Sequence, residues 1–179
     1  GEYASNLINS LAKKVKTCIM IYSNHPEFLN RWISTEGRTI ASQNLRLFLE
    51  LSLALLDRLN PVEILLKKFN KLSNCIFLKE EDEYRICGIK VSNHGHKGTN
   101  GARGSVNSAT KDEIQGHTHS PQITKSKGAY IVGASTHLSL MYTSGQSAST
   151  WLNTHCLVFK NGKRQLIHII KGKFGGKYE

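Results

Sequence analysis

Two short apolar runs and one brief strand-like segment in this chain each end abruptly in a polar turn that carries asparagine or histidine. In chain order, residues 17–22 precede Ser23-Asn24-His25, residues 84–91 precede Ser92-Asn93-His94-Gly95-His96, and residues 113–115 precede Gly116-His117-Thr118-His119. Apolar runs of this length predict buried strands. A polar turn at the carboxyl end of a strand, followed by a helix at Pro26, is the layout of a site at the C-terminal edge of an α/β sheet.

The intervening segments predict an α/β domain with several helices. Amphipathic patterns predict helices over residues 3–14, 40–59 and 62–72, with the leucines of the long middle helix in the core. The remainder, residues 128–171, predicts β-structure, and Asn161-Gly162 predicts a hairpin within it. Its 179 residues, of which 39% are hydrophobic, suffice for one domain of ordinary size spanning residues 1–179.

Charge and composition indicate where this domain is located and what it binds. No apolar run reaches the ~18 residues that would span a membrane, so we expect no membrane partner and a cytoplasmic location. Its four cysteines are widely spaced and lie in apolar runs, which favours reduced thiols over disulfides. The net charge of +11 favours a polyanionic partner such as nucleic acid, although a merely soluble basic protein fits the charge equally well.

Histidine is concentrated in two of the polar turns. His94 and His96 share the first and His117 and His119 share the second, and each pair is separated by one residue. Neutral imidazole binds Zn, Fe, Ni and Mn-type ions, and Gly116 is expected to let the backbone bend sharply enough for two rings to approach one point. A single His-x-His pattern is weak evidence, but two after separate strands favour a metal site.

At these turns the sequence resembles the calcineurin-like metallophosphoesterases. Gly116-His117-Thr118-His119 is similar to the last motif of that family, Gly-His-x-His, and His94-Gly95-His96 is similar to the histidine motif before it. Ser23-Asn24-His25 resembles the Gly-Asn-His-acid motif, and the three matches cover about residues 15–135. The resemblance implies a layered β-sandwich flanked by helices, with a site for two divalent ions such as Mn, Fe, Zn or Ni.

The same resemblance implies a role for each residue of these motifs. Asn24, His94 and His117 would bind the second metal ion, and His119 would bind the first. His25 would not bind metal but would lie beside the scissile phosphate, where it stabilises charge or protonates the leaving oxygen. His96 and Arg103 are further candidates for phosphate contact. The alternative for His96 is a third metal ligand, and Arg103 is equally well interpreted as a solvent-facing loop residue.

The chain departs from the family pattern in two places. Ser23 and Pro26 stand where the family has glycine and an acidic residue, so the usual partner of His25 is missing. More seriously, residues 1–23 contain no Asp and no His, whereas the family begins with Asp-x-His and Gly-Asp motifs that complete the first metal site. We therefore expect this chain to lack the N-terminal βαβ portion and to need a complementing polypeptide or segment.

Three interpretations remain open from the sequence. A narrower resemblance to tailed-phage early DNases and phage exonuclease subunits, carried by residues 23–32, 94–105, 116–121 and 142–151, implies a nuclease working in the host cytoplasm. The alternative is a catalytically inactive subunit that binds nucleic acid or organises an assembly. The third interpretation is a basic α/β domain whose histidines have no shared role.

Overall fold

The computed structural model describes residues 1–23, 25–35, 42–95, 106–125, 128–136, 138, 150–170 and 173–174. It shows a mixed α/β chain with several helices and small sheets. The chain divides into two compact units, Gly1–Glu81 and Asp82–Glu179. The organisation of residues 1–179 as a single domain, with a layered sandwich, stays a prediction.

The first unit is mostly helical around one pair of strands. Its elements are α1 (Glu2–Ala12), β1 (Cys18–Met20), α2 (His25–Thr35), α3 (Ser42–Leu56), α4 (Pro61–Lys67) and β2 (Cys75–Phe77). β1 and β2 pair in parallel with Cys18 opposite Cys75, so both strands end at the same edge. Parallel pairing requires a long crossover, which α2, α3 and α4 provide.

The predicted helices of this unit are present, but two of their apolar stripes face solvent. On α1, Leu7 and Leu11 are exposed, while Ser5 and Ala12 are buried. The buried face is held by a hydrogen bond from the Ser5 hydroxyl to the Leu66 carbonyl, 2.7 Å long. Small residues allow this close helix contact, so the larger apolar side chains lie on the outer face of α1.

The leucine-rich helix α3 also exposes large apolar side chains to solvent. Leu51 and Ala54 are buried, as expected of a core helix. Four other leucines on α3 are exposed, and they are Leu45, Leu49, Leu53 and Leu56. The prediction that the leucines of this helix are core, with or without a partner chain, is therefore confirmed for Leu51, and it stays a prediction for these four, which the described part of the unit does not cover.

The second unit is built from short strands. They are β3 (Arg85–Ile86), β4 (Ile89–Lys90), β5 (Ile114–Gln115), β6 (Gln122–Ile123), β7 (Tyr130–Ile131), β8 (Asn153–Val158), β9 (Arg164–Ile170) and β10 (Lys173–Phe174). β5 pairs in parallel with β7, which also pairs antiparallel with β6, and β8, β9 and β10 form an antiparallel sheet. Ala109, Ala129 and Ile131 form its fully buried cluster.

Hairpins in this unit confirm one prediction and correct another. Asn161 and Gly162 connect β8 to β9 as predicted, with Gly162 at a φ of 76°. The predicted continuous strand over residues 84–91 is wrong, since β3 and β4 form a tight antiparallel hairpin there. Cys87 and Gly88 make its turn with φ values of 50° and 81°, the double left-handed conformation of a type I′ turn.

Within the described residues, no helix combines the length and the apolar character needed to cross a membrane.

Candidate metal centre

Three of the predicted site residues have described side chains, and all three lie in the second unit. His94 follows β4, and His117 and His119 follow β5. His25 is the first residue of α2 in the first unit. Asn24, His96 and Arg103 lie outside the described residues. The candidate centre is therefore described by the positions of His94, His117 and His119.

The strands β4 and β5 bring two of the polar turns together. A parallel bridge pairs Lys90 with Glu113, so the two strands run side by side in the same direction. Beyond their ends, the Gly116 amide donates a hydrogen bond to the His94 carbonyl over 3.1 Å. Since parallel strands end at one edge, the polar turns that follow them occupy neighbouring positions.

The rings of His94 and His117 are in direct contact. Nε2 of His94 lies 3.3 Å from Nδ1 of His117, and the ring planes meet edge to face at 75°. Two nitrogens that each lie ~2.05 Å from one tetrahedral ion are ~3.3 Å apart. The pair is thus arranged so that both nitrogens can bind one cation, or so that one ring donates a hydrogen bond to the other when no ion is bound.

His119 has a different environment. Its ring packs edge to face against Trp151, with the two centroids 4.3 Å apart. Its carbonyl accepts a hydrogen bond from the Leu152 amide at 3.2 Å, which fixes the turn to the start of β8. In the part of the chain that the structure describes, no group of three or more His, Cys, Asp or Glu side chains is arranged to hold a metal ion.

The backbone of this turn is held in a sparsely populated conformation. The Thr118 amide donates to the Gly116 carbonyl at 2.8 Å, which closes a three-residue turn around His117. His117 has a φ of 69° and His119 a φ of 59°. Left-handed conformations cost non-glycine residues roughly 1–2 kcal/mol, and such strained residues are enriched at functional sites.

Gly116 does not supply the bend expected of it. Its φ lies outside the left-handed region, and an added Cβ would meet Val132 at 3.7 Å, an ordinary contact. The bend is instead carried by His117 and His119 themselves. A histidine in a position where glycine would be less strained indicates that the side chain, rather than the backbone alone, is needed there.

A buried polar network supports the His94 turn, and sequence patterns alone did not reveal it. The Asn93 carboxamide accepts the Gly95 amide at 2.9 Å and donates to Glu113 Oε1 at 2.5 Å and Gln115 Oε1 at 3.4 Å. The second oxygen of Glu113 accepts from the Thr110 amide at 2.8 Å. Glu113 and Gln115 are 3% and 1% exposed, so this network connects the turn rigidly to β5.

Two sequence signals could have indicated this network. Asn93 stands two residues before Gly95, the spacing of an asparagine side chain that bonds its own backbone. Glu113 and Gln115 alternate along a short strand, so they point to the same face, and both are buried. Paired polar residues on the buried face of a strand indicate a hydrogen-bond network rather than a solvent-facing edge.

Other histidines of the second unit have structural contacts. His168 lies on β9, and its Nδ1 is 2.9 Å from the hydroxyl of the buried Thr154. On β8, burial raises the pKa of the neighbouring Cys156 thiol. Because a raised pKa disfavours the thiolate at neutral pH, Cys156 is a poor nucleophile.

Comparison with known proteins relates the chain to a phage protein. The sequence is 32% identical over 180 residues to Protein A1 of Escherichia phage T5. The match covers 94% of this chain and 32% of the relative, so the chain spans about a third of the length of that protein. No protein-family model matches the sequence. No solved structure matches it either.

Proposed function

We propose that this chain supplies the carboxyl-terminal half of a two-metal phosphoesterase centre that cleaves phosphodiester bonds in nucleic acid. The observation that carries the proposal is the 3.3 Å separation of His94 Nε2 and His117 Nδ1 at the ends of adjacent parallel strands. The spacing fits two ligands of one ion, and a strained backbone and a buried network hold the two rings in place.

The chain's own residues have distinct parts in this proposal. His94 and His117 would hold the second ion together with Asn24, and His119 would contribute to the first. When bound, two divalent ions such as Mn, Fe, Zn or Ni would activate water and neutralise the charge of the phosphate. His25, which begins α2, would donate a proton to the leaving oxygen or stabilise the charge that develops there.

A complementing segment completes the centre in this proposal. The Asp-x-His and Gly-Asp motifs would come from another polypeptide or another part of a longer one. The phage relative extends well beyond the third of its length that matches this chain. The complete assembly would have the layered β-sandwich of the metallophosphoesterases, with helices on its outer faces and the missing βαβ portion restored.

Nucleic acid is the substrate class that the charge supports. The chain carries 24 Lys and Arg against 13 Asp and Glu, which gives a net charge of +11. Phosphate backbones bind such surfaces through counterion release, and a substrate in the host cytoplasm fits a phage relative. The charge alone does not separate DNA from RNA, so the assay should include both.

The test begins with metal binding by the isolated chain. We expect Mn²⁺ or Zn²⁺ to bind the wild-type protein in calorimetry, and His94→Ala and His117→Ala each to lower the affinity by about 10- to 100-fold. His155→Ala, at an exposed position on β8, is the matched control. Equal affinity in all four proteins would remove the basis of the proposal.

Activity is then measured with the complementing segment present. Mixing the chain with a polypeptide that carries the Asp-x-His and Gly-Asp motifs, in Mn²⁺, should release product from bis-p-nitrophenyl phosphate and from DNA or RNA. His117→Ala should abolish this release without preventing the two polypeptides from associating. A bound partner with no gain over metal alone would argue against a phosphoesterase.

A second candidate is a catalytically inactive subunit that binds nucleic acid. The observation that favours it is the absence of a cluster of three metal-binding side chains among the described residues, combined with the positive net charge. This candidate predicts DNA binding that weakens steeply with salt and survives the double change of His117 and His119 to Ala. The phosphoesterase proposal instead predicts loss of metal-dependent binding in the same variant.

A further inference from the structure

The first unit contains a cavity of about 370 Å³ at the carboxyl edge of its two parallel strands. Tyr22 lines it two residues beyond the end of β1, and Lys79 and Glu81 line it just beyond β2. The rest of the polar lining consists of Asn30 of α2, Arg58 from the turn after α3, Asn60 and Glu80. The crevice outside the carboxyl ends of parallel strands is where α/β proteins bind their ligands.

Arg58 is placed in this cavity at a conformational cost. It has a φ of 56° and ends α3 in a Schellman motif, with its amide bonded to Leu55 at 3.1 Å and the Leu59 amide bonded to Ala54 at 2.8 Å. Glycine is the preferred residue at this position of the motif. Among the described residues, the Arg58 side chain makes no ion pair that would explain its presence.

Asn30 provides a second, independent sign of a ligand. Its Oδ1 is buried and has no hydrogen-bond partner within the described part of the chain. A buried acceptor without a donor costs roughly 1–3 kcal/mol, so natural proteins rarely keep one that has no purpose. Asn30 lines the same cavity as Arg58, and a ligand N–H group that reaches Oδ1 would satisfy it.

The remaining lining limits the chemistry of that ligand. Leu55, Leu59 and Pro61 form an apolar wall, which suits a flat ring. A guanidinium binds phosphate oxygens as a bidentate donor, whereas a carboxylate such as that of Glu81 accepts from sugar hydroxyls. The cavity therefore combines sites for a ring with an N–H edge, for a sugar and for a phosphate.

We propose that this cavity binds a nucleotide, either free or as the phosphorylated end of a nucleic-acid strand. Asn30 accepts from the base, Arg58 holds the phosphate and the apolar wall packs against the ring. The choice of a nucleotide over other ring-bearing phosphates rests on the nucleic-acid substrate proposed above. The residues themselves all belong to the first unit and include none of the histidines of the candidate metal centre.

Two substitutions distinguish a loss of ligand binding from a loss of folding, because each should leave the ligand-free protein at least as stable as the wild type. Arg58→Gly removes strain, and we expect it to raise the melting temperature by about 2–5 °C. Asn30→Leu removes the buried acceptor and should leave the melting temperature equal or higher. Each should weaken nucleotide binding by about 10- to 100-fold, the loss expected for a hydrogen bond to a charged or buried group.

The experiment is calorimetric titration of the full chain with deoxynucleoside monophosphates, a 5′-phosphorylated oligonucleotide and inorganic phosphate, all in EDTA. Arg46→Gln, an exposed arginine on α3, is the control and should bind as the wild type does. Tighter binding of the oligonucleotide than of the mononucleotides identifies a strand end, and the reverse order identifies a free nucleotide. Both orders support the site.

Three results would overturn this proposal. They are the absence of saturable binding to any nucleotide, binding of inorganic phosphate as tight as that of nucleotides, and unchanged affinity in Arg58→Gly. The outcome is independent of the candidate metal centre, because His117→Ala should bind nucleotides in EDTA as the wild type does. Failure of the metal proposal therefore leaves this test intact, and failure of this test leaves the metal proposal intact.

Discussion

The Asn93 side-chain amide donates to a carboxylate oxygen of Glu113 at 2.5 Å, and this bond joins the His94 turn to the neighbouring strand. Glu113 is almost fully buried, so its carboxylate oxygens need hydrogen-bond donors from the protein. We expect Asn93→Ala to lower the free energy of unfolding by about 1–3 kcal/mol, because a buried acceptor loses its partner. Chemical denaturation measures this change.

The same substitution also tests whether Asn93 orients the His94 turn for metal binding. If Asn93 orients the turn, Asn93→Ala should also weaken metal binding in a folded protein, since ligands that lose their supporting hydrogen bonds typically lose about 10- to 100-fold in affinity. Gln43→Ala, an exposed polar change on α3, is the control for both measurements. Normal metal affinity in Asn93→Ala would show that His94 is held by other contacts.

Gly133 and Gly116 make a matched pair of glycines. A Cβ at Gly133 would lie 1.9 Å from the Leu152 carbonyl oxygen, and the strand there cannot move aside because Gly133 and Ala134 both bond to it. We expect Gly133→Ala to cost more than about 4 kcal/mol, which would unfold the second unit. Gly116→Ala meets only ordinary contacts and should keep both fold and metal binding. Circular dichroism and thermal melting distinguish the two variants.

The meeting of two polar turns can be predicted from the sequence because each turn lies at the end of a strand. Residues 84–91 and 113–115 were each expected to precede a histidine turn, and the structure brings His94 and His117 of these turns into contact. The sequence did not reveal one local feature, a hairpin turn, and one tertiary feature, a hydrogen-bond network. The Cys87-Gly88 turn has only one glycine as a signal, and the Asn93 network depends on side chains 20 or more residues apart.

Hydrophobic periodicity found the helices but not the faces that they bury. The period of an amphipathic helix identifies a stripe, yet it does not say whether that stripe meets the core or a surface. On α1 the small residues Ser5 and Ala12 are buried, because close approach to α4 and hydrogen bonding to Leu66 favour them over leucine. Such preferences depend on the partner helix, which the local pattern does not contain.

Two neighbouring leucines on α3 test this distinction. Leu51 is 1% exposed and Leu53 is 61% exposed. Leu51→Ala should lower the free energy of unfolding by about 2–5 kcal/mol, because it leaves a cavity in the core. Leu53→Ala should change it by no more than about 0.5 kcal/mol in the isolated chain. A large loss at Leu53 in urea denaturation would mean that the exposed face of α3 is covered in solution.

Cysteine reactivity should depend on pH in a site-specific way. Burial raises the pKa of Cys156, and burial together with the neighbouring Cys18 raises that of Cys75, both from an ordinary value of 9.0. Their thiolates therefore form only at more alkaline pH, and we expect iodoacetamide to modify the exposed Cys87 well before either of them at pH 8. Mass spectrometry of the labelled peptides measures the order.

The same shifts link pH to stability. Because the folded-state pKa of Cys156 is raised, the unfolded chain releases its proton first, so stability is complete below pH 9 and falls as the pH rises through the folded-state value. Cys156→Ala should reduce this alkaline loss while Cys87→Ala should leave it unchanged. An identical pH profile in wild type and Cys156→Ala would contradict the burial of this thiol.

The left-handed backbone of His117 permits a test that separates strain from ligation. His117 has a φ of 69°, a conformation that only glycine adopts freely. The free energy of unfolding of His117→Gly should therefore exceed that of His117→Ala by roughly 1–2 kcal/mol. His117→Gly and His117→Ala should nevertheless lose metal binding equally, because both lack the imidazole. At His119, with a φ of 59°, the same order of stability is expected. A glycine variant less stable than the alanine variant would contradict the left-handed conformation of this residue, whereas a wild-type protein more stable than the glycine variant would show that the ring contact with His94 outweighs the strain.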